Sequence, residues 1–263
     1  MTPYSPLHDS PEDFSCVVIG DGPPLVVFPG LARGPVTSPL AYRGLAHVTQ
    51  RHIYVVNRPL GLPSGLTMPD LAARHTKIIT QHFTEPVDLL GASTGGAIAL
   101  QLAVDYPSLV NRLIVVAAAS WLGPEGRKKL RRYGDEVAHG RSGAKVLASV
   151  LSASPQFWPM AFIIWAAHRL RPGPIPTDML ATIDAEVGFD VTARLNQIHA
   201  PTLLIAGARD RAFPLDLIQA TAAGIPHSRL IVYPRAGHIG TMLNRHFGRD
   251  VANFLATPLT SPA

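Results

Sequence analysis

The chain has 263 residues, 47% apolar and only 16% charged, which excludes a disordered polymer and suffices for one large core. Its net charge of +5 comes from 23 basic and 18 acidic side chains, too modest an excess to mark a nucleic-acid binder. The densest basic stretch, GRKKLRR ending at Arg132, has no aromatic interleaving for base stacking and reads as a solvated helix face.

Residues 1–12, rich in Pro, Ser and Asp, read as a loose arm without the features of a signal peptide. FSCVVIG is a short predicted strand and holds Cys16, the only cysteine; no intrachain disulfide can form, and a cytoplasmic setting is expected. DGPP marks a turn, and LVVFPG and IYVVN are buried strands. MPDLAARHTKIITQHF has helical spacing with Pro69 near its start. VDLLG reads as strand, TGGAIALQLAVDYP as helix and RLIVVAAA as strand. PTLLIAG (strand), LDLIQATAAG (helix), SRLIVYP (strand) and NRHFGRDVANFLA (helix) follow. The tail TPLTSPA reads as disordered.

Apolar strands alternating with helices predict an α/β fold, a mostly parallel central sheet with helices on both faces. The alternation breaks once. Residues 120–198 show no strand pattern and read as an inserted helical subdomain; 1–119 and 199–263 form the core. The apolar run FWPMAFIIWAA in the insert is too short to cross a bilayer and contains Pro159.

The segment GASTGG joins a predicted strand to a predicted helix. Gly91 and Gly95 stand two residues either side of Ser93, the spacing of a nucleophile elbow, where larger side chains would clash in the tight turn. A plain turn with a serine N-cap fits the six residues equally well. The wider sequence favours the elbow. A serine nucleophile needs a base, and the base an orienting acid. Asp210 in AGARDRAFP and His238 in YPRAGHIG each follow a predicted strand, so both come to the carboxyl edge of the sheet with Ser93. Their order, Ser, Asp, His, is that of the elbow hydrolases. The N–H of Thr94 and that of Leu31, in the VVFPGLARG loop, are the expected oxyanion donors.

On these segments the sequence resembles the α/β-hydrolase fold superfamily, from GDGPPLVVFPG through NRPLGLPSG, the elbow and LLIAGARDRAFP to YPRAGHI. The resemblance implies a serine-nucleophile, capped, esterase- or lipase-like enzyme: Ser93 nucleophile, Asp210 acid, His238 base, Leu31 and Thr94 oxyanion donors, and 120–198 a helical cap. Relatives with an aspartate nucleophile are disfavoured by Ser93. Two departures stand out: Pro29-Gly30 where His-Gly is common, and Pro59 where glycine is frequent.

Trp121, Phe157, Trp158, Phe162 and Trp165 fall in the insert. They are either its small core or an apolar lining for the substrate. The expected reaction is hydrolysis of an ester, thioester or lactone of an apolar small molecule, with water as co-substrate. C–C bond hydrolysis, acyl transfer, cofactor-free haloperoxidase chemistry and a receptor role use the same fold and stay open, as does the oligomeric state. No metal or cofactor is expected. His75 and His82 lack an acidic partner at ligand spacing and read as a half-exposed helix face. GASTGG lacks both the Walker lysine and the dinucleotide glycine spacing.

Overall fold

The computed structural model describes residues 16–31, 39–141, 143, 146 and 177–258. Its seven strands are β1 (Cys16–Ile19), β2 (Pro24–Phe28), β3 (His52–Val56), β4 (Val87–Ala92), β5 (Val110–Val116), β6 (Thr202–Gly207) and β7 (Ser228–Tyr233). They form one sheet in the order β1-β3-β2-β4-β5-β6-β7. β1 runs antiparallel to β3, and every other pair is parallel. All seven coincide with predicted strands.

Eight helices are described: α1 (Pro39–Thr49), α2 (Met68–His82), α3 (Thr94–Asp105), α4 (Gly123–Ala138), α5 (Thr177–Gly188), α6 (Leu215–Gly224), α7 (His238–Met242) and α8 (Phe247–Ala256). Strand side chains alternate between faces. Leu25, Val27, Ile53, Val55, Leu90, Ile114 and Ile205 pack with Leu45 of α1 and Val251 and Phe254 of α8. Val26, Phe28, Leu89, Leu113, Val115 and Leu204 pack with Leu71 of α2, Ile98 and Leu102 of α3 and Ile218 of α6. Each such side chain, fully buried, is worth about 1.5–3 kcal/mol. This two-sided cover is why the strands are apolar on both faces.

The helices start in different ways. Thr67 and Asp70 form a reciprocal capping box at α2, with Pro69 in its first turn. α3 has no side-chain cap and is buried from Thr94 to Val104, so packing takes the place of a cap. α2 corrects one expectation. His82 is exposed, but His75 is only 1% exposed. Its ring meets Phe28 edge-on at 4.6 Å and its Nδ1 contacts the Leu71 carbonyl at 2.7 Å. Burial pushes its pKa down to about 4, so it is a neutral core residue.

At the start of β4, Asp88 is 3% exposed. It accepts hydrogen bonds from Arg51 (2.8 Å), Asn111 (2.7 Å) and Arg112 (3.4 Å). This cluster closes the sheet edge opposite the site. Between β5 and β6 the chain leaves the sheet, and no described residue there joins it. The described part of this excursion holds α4, α5 and a 3₁₀ turn, Thr192–Gln197. Its two ends meet at a neck. Val191 N–H donates to the Ser120 carbonyl (3.0 Å), Trp121 and Asp190 form an antiparallel bridge, and the Ser120 and Thr192 hydroxyls lie 2.9 Å apart. On α4, Lys128, Arg131 and Arg132 are exposed.

Candidate active site

Ser93 stands between β4 and α3 with φ +54° and ψ −124°. That conformation is unfavourable for any residue with a Cβ, and the surroundings hold it. Ser93 N–H donates to the Val116 carbonyl at the end of β5 (2.9 Å). Its own carbonyl accepts from Gly96 (2.7 Å) and Ala97 (3.2 Å) in the first turn of α3. The turn is tight enough to exclude a Cβ on either side. One on Gly91 would lie 2.4 Å from the Gly95 carbonyl oxygen, and one on Gly95 would lie 2.0 Å from that of Phe28. The hydroxyl makes no capping bond to α3, unlike an ordinary serine N-cap.

Instead, Ser93 Oγ lies 2.9 Å from His238 Nε2. His238 Nδ1 lies 2.8 Å from Asp210 Oδ2. Asp210 follows β6, and His238 follows β7 as the first residue of α7. The other carboxylate oxygen, Oδ1, accepts from the N–H groups of Ala212 (2.8 Å) and Phe213 (3.1 Å). Both residues are buried, His238 at 2% and Asp210 at 6% exposure. The Phe213 ring stacks on the imidazole, 6.0 Å between centroids and 18° from parallel. With Nδ1–H directed to Asp210, Nε2 is free to accept the Ser93 proton, the arrangement an acyl-transfer base requires.

The loop after β2 lies against the serine: a Cβ on Gly30 would stand 3.4 Å from Ser93 Cβ and 3.9 Å from Oγ. Arg58, 6% exposed, holds the outer side of this loop. Its Nη1 donates to the Gly30 carbonyl (2.8 Å) and its Nη2 to the Leu31 carbonyl. Thr94, the other expected donor, is 2% exposed and opens α3. Its hydroxyl donates to Glu186 Oε2 of α5 at 2.8 Å. Burial pushes the Glu186 carboxyl up to about 7, opposed by the Thr94 hydrogen bond and by the charges of Arg58 and His238.

The structure thus brings together Ser93, Asp210, His238, Thr94 and the Leu31 loop. Trp121 sits at the neck of the insert, with Arg127 5.3 Å from its ring centroid. Phe157, Trp158, Phe162 and Trp165 lie outside the described residues. Sequence reading missed Arg58, Phe213 and Glu186. Arg58 lies inside the noted RPLGLPSG loop but carries no signal of which carbonyls it meets. Glu186 is 92 residues from its partner, and no local pattern announces that pairing. Among the described residues no three His, Cys, Asp or Glu side chains gather to hold a metal ion, and no helix is long and apolar enough to cross a membrane.

A seven-stranded, mostly parallel sheet with helices on both faces and an elbow serine at its carboxyl edge defines an α/β hydrolase. The chain belongs to the family described as serine aminopeptidase, S33, whose model matches residues 66–242; it is a hydrolase of that family. Over 208 residues it is 30% identical to a RutD protein of Variovorax paradoxus (strain S110) named as a carbamate hydrolase, with 75% of this chain and 76% of that one covered. It is 25% identical over 233 residues to a pimeloyl-(acyl-carrier protein) methyl ester esterase of Nitrosomonas europaea, covering 83% of this chain and 90% of that one. The solved structure of MGS-M2, an α/β hydrolase from a Medee basin deep-sea metagenome library, shares the fold with a TM-score of 0.80 at 17% identity, over 96% of this chain and 98% of that one.

Proposed function

We propose that this protein cleaves a carboxylic ester, thioester or lactone of an apolar small molecule through an acyl-enzyme. The observation that carries the proposal is the hydrogen-bonded line from Ser93 Oγ through His238 to Asp210, at 2.9 and 2.8 Å. Ser93 Oγ attacks the acyl carbon while His238 Nε2 takes its proton, and Asp210 stabilises the imidazolium. The backbone N–H groups of Leu31 and Thr94 receive the oxyanion. The imidazolium then protonates the leaving group. Water, deprotonated by His238, attacks the acyl-enzyme and frees the acid. The insert, 120–198, acts as a cap over the site. Relatives named for carbamate and methyl ester cleavage support an acyl-type bond as the target.

The test is reaction with a fluorophosphonate probe, followed by peptide mapping, and turnover of p-nitrophenyl esters of rising chain length. Stoichiometric labelling at Ser93 is expected. Ser93→Ala should lower kcat by about 10⁴-fold or more, and longer acyl chains should raise kcat/KM. An unlabelled protein, or a Ser93→Ala variant with full activity, would sink the proposal; a preference for the shortest acyl groups would overturn the apolar pocket.

A further inference from the structure

The buried face of α5 is apolar except at Thr182 and Glu186. Ala181, Ile183, Ala185 and Val187 are buried around Glu186, which is itself 2% exposed. A carboxyl group is costly at such a position without a hydrogen-bonding partner. The partner found is specific. It is the hydroxyl of Thr94, at 2.8 Å, on the residue whose backbone N–H adjoins the nucleophile. Threonine in a first helical turn has no i−4 helical carbonyl to bond, so this hydroxyl is available to a group outside the helix. α5 is anchored at its other end as well. Asp178 Oδ1 accepts the Leu62 N–H at 2.8 Å, in the loop that follows β3.

We propose that Glu186 is a positioning residue for the oxyanion hole: from the inserted segment it holds Thr94, and so aims the Thr94 N–H at the developing oxyanion. The inference rests on the serine-hydrolase reading given above. Glu186 touches no reacting atom. It acts through Thr94, whose peptide N–H is otherwise oriented only by the turn, through the bonds that Gly96 and Ala97 donate to the Ser93 carbonyl. A rotating Thr94 side chain would loosen the Cα to which that N–H is coupled. The arrangement also makes the first turn of α3 sensitive to the placement of α5. A cap displaced from the elbow loses the bond, and with it the alignment of one oxyanion donor.

The two sides of this single bond can be removed separately. Thr94→Val is nearly isosteric and lacks the donor. Glu186→Met fills the same space and lacks the acceptor. Thr94→Ser and Glu186→Gln each keep the bond. Removing an oxyanion donor outright costs about 10²–10³-fold in kcat. Loosening one should cost less, about 10-fold, with KM within twofold of wild type, in both Thr94→Val and Glu186→Met. Thr94→Ser and Glu186→Gln should stay within threefold of wild type. The double variant Thr94→Val/Glu186→Met should be no slower than the slower single variant, because both changes remove the same bond. The readouts are kcat and KM on a p-nitrophenyl ester and the rate constant for fluorophosphonate labelling of Ser93, each compared with the thermal midpoint. Wild-type kcat in folded Thr94→Val, multiplicative losses in the double variant, or failure of Thr94→Ser to restore the rate each overturn the inference. A wild-type protein that takes no label overturns the hydrolase reading itself. A wild type that labels at the same rate as Thr94→Val and Glu186→Met overturns only the role of Glu186.

Discussion

Gly95→Ala places one methyl group where the elbow crosses the end of β2. The added Cβ would stand 2.0 Å from the Phe28 carbonyl oxygen and 2.5 Å from that of Pro29. Real Cβ atoms essentially never come nearer than 3.0 Å, so the backbones must part by about 1.0 Å. Neither can move alone. Phe28 is in register with Gly91 in the parallel ladder, and α3 is buried along its length. The loop beyond Phe28 lies outside the ladder, and its retreat, against the Arg58 bonds to the Gly30 and Leu31 carbonyls, carries both residues away from Ser93. A hydrogen bond of about 2.9 Å lengthened by that amount passes the limit of useful geometry. The expected cost is that of one oxyanion donor, about 10²–10³-fold in kcat. Overpacking adds about 1–3 kcal/mol of destabilisation, roughly 2–4 °C in Tm per kcal/mol at this chain length. Initial rates on a p-nitrophenyl ester and a calorimetric scan of the same preparation measure both. A Gly95→Ala enzyme with kcat within threefold of wild type and an unchanged Tm refutes the steric reasoning.

Two further outcomes concern stability. Glu186 has its carboxyl pushed from the ordinary 4.5 to about 7, so between those values the folded chain keeps a proton that the unfolded chain has released. Its contribution to stability is therefore present below about pH 4.5 and lost as pH rises to 7, about 3 kcal/mol in all at about 1.36 kcal/mol per pH unit. His75, pushed from 6.5 down to about 4, acts oppositely: its contribution is present above pH 6.5 and lost as pH falls to 4. Urea unfolding at pH 5.0 and 7.5 should show Glu186→Gln gaining on wild type by a few kcal/mol at the higher pH, and a gap that does not change with pH contradicts this. Asp88→Ala removes the carboxylate shared by Arg51, Asn111 and Arg112, leaving the two arginines only their bonds to the Leu255 and Thr257 carbonyls, and should lower the unfolding free energy by about 3 kcal/mol. Because Ser93 lies five residues further along, about 16 Å at strand rise, kcat of the folded variant should be unchanged; a large kcat loss without destabilisation would contradict the placement.

The strands were legible because β2, β4, β5 and β6 are covered on both faces and so are written as continuous apolar runs. α2 and α3 were legible for related reasons: α2 has helical spacing with an early proline, and α3 follows an elbow whose glycines are sterically required. Other features were not. α1 begins in PLAYRGLAHVT, where Gly44 interrupts the pattern, and the five-residue α7 is too short to show a period. The antiparallel sense of β1 is set by its pairing with β3, which a four-residue run does not encode. His75 was misjudged because its helix carries polar residues on several sides, while the bulk of Phe28 that it covers lies 47 positions away. In the site, Ser93, Asp210 and His238 were readable because each follows a strand, and strand ends are the most regular markers in such a chain. Arg58 and Glu186 bind through contacts between segments distant in sequence, and those are decided only when the chain closes.

The neck joining Ser120 and Trp121 to Asp190 and Val191 has an evolutionary consequence. It pinches a 70-residue excursion, from Trp121 to Asp190, into a cassette whose two ends are already stitched. Lengthening such a closed excursion costs little, about 0.6 kcal/mol per doubling, and leaves the register of β5 with β6 unaltered. A cassette closed at its own neck can be exchanged without disturbing the strands on either side of it. The bonds from Thr94 to Glu186 and from Leu62 to Asp178 cross that seam. A transplanted cassette has to bring its own acceptor for the Thr94 hydroxyl, and a lineage that loses the acceptor is expected to lose the threonine with it.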